Sequence, residues 1–274
     1  MTEMETPLQP ILLTADSQLL FWQVDGEPFL ARCRARLGDE PRAAYIGASN
    51  GDVLDFYHLF RGAMEGVGIS RCRMIPSVPS EEDLEFVDEA DLILLAGGDV
   101  ARGWEVMKDN GITQKLIERY YTGALLAGVS AGAVQLGLFG LYEEGETAQP
   151  FETLKLVPYL IDAHAEPDWD RLRRAMPTVG EHVRGLGIPT GGGALIHGDL
   201  AVEPVRHPLT EMTYDGDRVT QALIFPPGPD SPQGAAEDGS GAGDPESEMA
   251  AEASSTDGEM VAPTEVGTGR STQA

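Results

Sequence analysis

Four short apolar runs separated by helix-period segments constrain this chain more than any other feature of its sequence. Ile11-Leu12-Leu13, Ala44-Tyr45-Ile46, Leu92-Ile93-Leu94-Leu95 and Ala124-Leu125-Leu126-Ala127 are each short and flanked by turn residues, as strands buried on both faces are. Between them, Phe21 to Leu37, Val53 to Val67 and Ile112 to Tyr121 place apolar residues at spacings of three and four, so each is expected to be a helix. Gly38, Gly68 and Gly123 stand where C-caps belong. Strand and helix alternating in this way predict an α/β fold with a doubly wound, mostly parallel sheet, and the ends of its strands are the natural place for a site. From Leu186 onward, Ala194 to His197, Leu200 to Val205 and Val219 to Phe225 read as shorter strands forming a small antiparallel C-terminal edge.

The pattern stops after Phe225. Residues 226–274 contain no aromatic residue and are dominated by Gly, Ala, Ser, Pro, Asp and Glu. Such a segment cannot bury enough apolar surface to offset its ordering entropy, so it is expected to be a disordered acidic tail. The organisation read from the sequence is therefore a flexible stretch 1–8, an α/β domain over 9–225 and the tail. The whole chain of 274 residues has a formal charge of −26, and the domain without its tail keeps 35 acidic against 18 basic residues. A polyanion of this kind repels phosphate backbones, which argues against nucleic acid as a partner. No apolar run approaches the roughly 18 residues of a membrane span, and Met1 to Glu5 lack the charged and apolar regions of a secretory signal. The expected localisation is cytoplasmic, without a membrane partner. Cys33 and Cys72 have no metal-ligand spacing and are expected to be free thiols, not metal ligands.

Chemistry concentrates at Gly128-Val129-Ser130-Ala131-Gly132, which follows one strand and precedes a helix expected over Ala131 to Leu138. Small residues on either side of a serine let the backbone take a strained turn and lift the hydroxyl above the sheet. The same small residues would also serve close strand and helix packing. A second glycine turn, Ala96-Gly97-Gly98-Asp99, ends the neighbouring strand. It places the Gly98 N–H where it could complete an oxyanion pocket with that of Ala131. Five histidines could supply a base: His58, His164, His182, His197 and His207. His164 stands out because an extended apolar run from Leu156 delivers it into a polar segment, with Asp162 two residues before. Residues two apart share a face of an extended chain, so Asp162 and His164 are expected to line one wall.

These residues resemble a known family. The Gly97-Gly98-Asp99 turn, the Gly128 to Ala133 string, the run Leu156 to His164 and Gly187-Ile188-Pro189 are similar, in order and spacing, to the serine hydrolases that include dipeptidase E and cyanophycinase. The resemblance covers residues 9 to 225 and implies a class I glutamine-amidotransferase-like fold. It implies a serine-type exopeptidase, or an isopeptidase of aspartyl or β-aspartyl bonds, acting on small peptides. Ser130 would be the nucleophile, His164 the general base, and the Gly98 and Ala131 backbone the oxyanion hole. Gly97, Asp99 and Thr190 would contact substrate, with no metal or organic cofactor. A homodimer is left open.

The departures are also specific. Thr190 stands where dipeptidase E members carry a glutamate, and Val100 and Ala163 replace glutamines of the cyanophycinases. Cleavage of cyanophycin is therefore not expected. Loss of the carboxylate in a serine triad costs on the order of 10⁴ in turnover, so Asp162 is expected to substitute, with Glu166 and Asp168 behind it. A catalytically impaired member that binds a partner or metabolite is the alternative. Amidotransferase chemistry normally uses a cysteine, and neither Cys33 nor Cys72 lies at the elbow.

Overall fold

The apolar runs fold as strands, and their side chains feed two separate cores. In a computed structural model the described residues are 8–144 and 147–227, which fall in one compact unit of residues 1–231. The tail expected over 226–274 lies outside them except for Pro226 and Pro227, as does the N-terminal stretch before Leu8. β1 (Ile11–Thr14) is fully buried. The helix expected over Phe21 to Leu37 is absent. A hairpin, β2 (Gln23–Val24) and β3 (Glu27–Pro28), is followed by one helical turn, α1 (Ala31–Arg34), whose cap is Ala35, not Gly38. Asp25 and Gly26 both have positive φ, 54° and 84°, which is the turn chemistry that matches strand twist. That local signal overrides the three-and-four spacing.

From there the alternation holds: β4 (Arg42–Ile46), α2 (Leu54–Gly66), β5 (Arg71–Ile75), α3 (Glu81–Glu89), β6 (Leu92–Leu95), α4 (Val100–Asp109), α5 (Ile112–Tyr121), β7 (Leu125–Val129) and α6 (Ala131–Leu136). Gly68 and Gly123 follow their helices with φ of 77° and 101°. An antiparallel ribbon, β8 (Phe139–Glu144) and β9 (Thr147–Glu152), comes next. The chain finishes with β10 (Tyr159–Ala163), α7 (Asp170–Val179), β11 (Arg184–Ile188), β12 (Gly193–Ile196), β13 (Val202–Val205), β14 (Leu209–Tyr214) and β15 (Val219–Ile224).

The main sheet has the order β13-β12-β1-β7-β6-β4-β5, its last five strands parallel and β12 and β13 antiparallel. Ile11, Leu13, Ile46, Ile93 and Leu95 face one core, while Leu12, Tyr45, Leu92 and Leu94 face another. Successive side chains on a strand point to opposite faces, so this sheet is covered on both sides. The expected antiparallel edge is only half correct. Ala194 to His197 and Leu200 to Val205 supply β12 and β13, but Val219 to Phe225 supplies β15 of a second sheet, ordered β10-β11-β14-β15. Strand pattern reveals a strand, not its partner, and here β14 pairs with β15 over six residues. The second sheet has its own small core of Leu160, Trp169, Leu172, Met176 and Met212. No helix among the described residues is long and apolar enough to cross a membrane.

The two sheets are joined at the end of α6. Leu138 N–H donates to Tyr159 O at 2.9 Å and Val157 N–H to Leu136 O at 3.0 Å. A Cβ on Gly137 would lie 2.7 Å from Tyr159 O, so glycine is what lets β10 approach so closely.

Candidate active site

Ser130 ends β7 and caps α6 with φ 49° and ψ −106°, a conformation that costs on the order of 1–3 kcal/mol and persists only when its surroundings enforce it. They do. Ser130 N–H donates to Thr14 O at 2.9 Å, extending the β1–β7 pairing. A Cβ on Gly132 would sit 2.1 Å from Leu95 O, and one on Gly128 would sit 2.5 Å from Ala133 N. Both glycines are required by packing, and that same packing raises the hydroxyl.

His164 follows β10 and reaches the serine from the second sheet. Its N–H donates to Ile188 O at 2.9 Å, prolonging the β10–β11 pairing, and its φ of 47° turns it out of the strand. The result is a hydrogen bond of 2.7 Å between Ser130 Oγ and His164 Nε2. Of the other histidines, His197 is paired with Glu203 at 3.0 Å.

That turn also corrects the expectation for Asp162. The residue does not share a wall with His164, because the left-handed backbone at His164 breaks the two-residue alternation. Asp162 is buried and its Oδ1 accepts from Ala163 N–H and the Arg171 guanidinium. Glu166 is a carboxylate whose surroundings include His164. Its Oε1 accepts from Thr190 N–H at 3.0 Å. Burial alone would raise the Glu166 carboxyl, but hydrogen bonds to Thr190 and its own backbone, with the nearby His164 ring, hold it below the ordinary value. Thr190 therefore anchors Glu166 and does not line the cavity beside Ser130. Asp99 does not line it either: its side chain accepts from Arg102 N–H at 2.9 Å and caps α4.

Gly97 and Gly98 do line that cavity, with Ser130 and His164. A Cβ on Gly97 would be 3.4 Å from Ser130 Cβ. Gly98, at φ 137°, lies against the turn Ala48–Asn50, where an added Cβ would meet Ser49 O at 2.2 Å. Ala131 opens α6, so its N–H belongs to the first-turn donors that no intrahelical acceptor reaches. Sequence reasoning missed what braces the two turns. Gln135, fully buried on α6, donates to Ser49 Oγ at 3.1 Å and Val100 O at 2.9 Å. Gly103 makes room for that contact, since a Cβ there would lie 2.1 Å from Ser49 Oγ. A glycine inside a helix pattern was the available signal. Cys33 and Cys72 are free thiols, both pushed up to about 11 chiefly by burial.

A serine on a strand-to-helix turn, with an imidazole in contact with it and a doubly wound sheet beneath, is an arrangement that nucleophilic hydrolysis can use. Residues 25–202 match the model of peptidase family S51. The chain belongs to that family. It is 27% identical over 168 residues to the uncharacterized peptidase YgaJ of Bacillus subtilis (strain 168), covering 58% of this chain and 70% of that protein. Its fold is similar to a crystal structure of a peptidase from an acI-B1 Actinobacterium, with a TM-score of 0.58 and 17% identity over 81% of this chain and 98% of the other. It is also similar to a putative peptidase E protein from Listeria monocytogenes EGD-e, with a TM-score of 0.52 and 15% identity over 79% and 99% of the two chains.

Proposed function

We propose that the chain hydrolyses an amide bond of small peptides, with Ser130 as nucleophile and His164 as general base. The 2.7 Å contact between Ser130 Oγ and His164 Nε2 carries this reading. With its proton on Nδ1, the imidazole accepts the serine proton at Nε2 as Oγ attacks the carbonyl carbon, and then delivers it to the departing amine. Water, deprotonated by the same imidazole, attacks the acyl carbon, and the imidazolium returns that proton to Ser130 Oγ as the acid leaves. The N–H groups of Gly98 and Ala131 hold the negative oxygen of the tetrahedral intermediate. Glu166 supplies negative charge near the imidazolium that forms at each proton transfer, in place of Asp162, which is held by Arg171.

The test is covalent labelling by a fluorophosphonate together with turnover of a dipeptide library. Wild type is expected to label and to turn over, and Ser130→Ala to do neither. An unlabelled wild type, or undiminished turnover in Ser130→Ala, overturns the assignment.

A further inference from the structure

A cavity of about 280 Å³ opens beside Ser130 and His164. Its walls are chiefly the side chains of Leu20, Tyr45, Phe56, Leu59, Phe60 and Leu94. Tyr45 and Phe60 pack with ring centroids 5.4 Å apart, and the Tyr45 hydroxyl is already engaged by Asn50 Nδ2 at 2.8 Å. Phe56 and Leu59, one helical turn apart on α2, remain 51% and 44% exposed. Large apolar side chains grouped at the mouth of a concave site mark a place where something apolar is received.

Charge points the same way. Among the described residues no lysine or arginine lines the cavity, and the one carboxylate there, Asp16, is fixed by Gln18 N–H at 2.8 Å and Gly191 N–H at 2.7 Å. An aspartyl side chain entering here would lose water and face a like charge, with no lysine or arginine among the described lining residues to pair with it. The chain's net charge of −26 adds to that repulsion.

Resting on Ser130 as the nucleophile, we propose that this cavity is a specificity pocket for an apolar side chain, branched aliphatic or aromatic, adjoining the scissile bond. Peptides with leucine or phenylalanine at the cleavage point are its substrates, and aspartyl peptides are excluded. Each methylene accommodated by such a pocket is worth about tenfold or more in discrimination. The combined preference for a leucyl or phenylalanyl over an aspartyl side chain is thus at least about 100-fold.

Boronic acids test this without knowledge of peptide length, because they add reversibly to a competent serine. 2-Phenylethylboronic acid and 2-carboxyethylboronic acid are titrated against fluorophosphonate labelling of the full chain. The phenyl compound is expected to protect Ser130 at a concentration at least about 100-fold lower. In Leu59→Arg, and separately in Phe56→Arg, each checked for fold by circular dichroism, that ratio is expected to fall at least tenfold. Equal protection by the two compounds, or a ratio that neither variant moves, overturns the pocket while leaving the nucleophile intact. A wild-type chain that does not label overturns the nucleophile, and the pocket assignment with it.

Discussion

Ser130 and His164 meet at 2.7 Å, yet the two sides of that contact are built in different ways. On the serine side, backbone lies directly on backbone. Gly128 and Gly132 bring β7, α6 and Leu95 O closer than any Cβ would permit, so the strained turn itself is one short stretch of chain, wedged against β6 and held to β1 by Thr14 O. On the histidine side the position is assembled from distant pieces: Ile188 O holds its N–H, Thr190 holds Glu166, and Arg171 holds Asp162. The turn that carries Ser130 is thus written in one short motif, while the position of His164 depends on pieces far apart in the chain. Substitutions on the two sides should fail differently.

The largest effect is expected at Gly132→Val, where a side chain would meet Leu95 O at 2.1 Å from its first carbon. Main chain cannot yield cheaply, so about 4–5 kcal/mol of destabilisation or outright failure to fold is expected in a thermal melt. Next comes Arg171→Met, which leaves the buried Asp162 carboxylate without its cation. Breaking a buried pair costs about 3–5 kcal/mol. Arg171 is 37% exposed on its side chain, so about 2–3 kcal/mol is expected from urea unfolding, with slower labelling of Ser130. If Arg171→Met lowered stability but left labelling untouched, the histidine side would be less dependent on tertiary support than argued. Gln135→Leu strands Ser49 Oγ and Val100 O and should cost about 1–3 kcal/mol.

The smallest effect concerns pH. The Glu166 carboxyl is held below its ordinary value when folded, so its contribution is fully present above about pH 4.3, the usual glutamate value. It disappears as pH falls through the lowered folded value. Glu166→Gln should therefore melt like wild type in strong acid and slightly below it at neutral pH. A difference confined to acid would reverse that assignment.

This asymmetry also explains what could be read from the residues alone. β1, β4, β6 and β7 announce themselves because strands buried on both faces are nearly uniform apolar runs. The elbow is legible for the same local reason. The Phe21 to Leu37 segment misleads because its apolar spacing is helical while Asp25-Gly26 turns a hairpin. The place of Asp162 is misread because nothing local reveals that His164 leaves the strand at φ 47°. Glu166 is held in place by Thr190, 24 residues away, and such a pairing has no sequence period to betray it.

The second sheet meets the first through the end of α6, where Leu138 N–H bonds to Tyr159 O. Ser130 and His164 are consequently carried by separate layers, and the gap between their two atoms gauges how those layers are seated. Warming that lets one layer slip by an ångström should silence the enzyme before either sheet melts. Loss of turnover would then run ahead of loss of ellipticity on a temperature ramp.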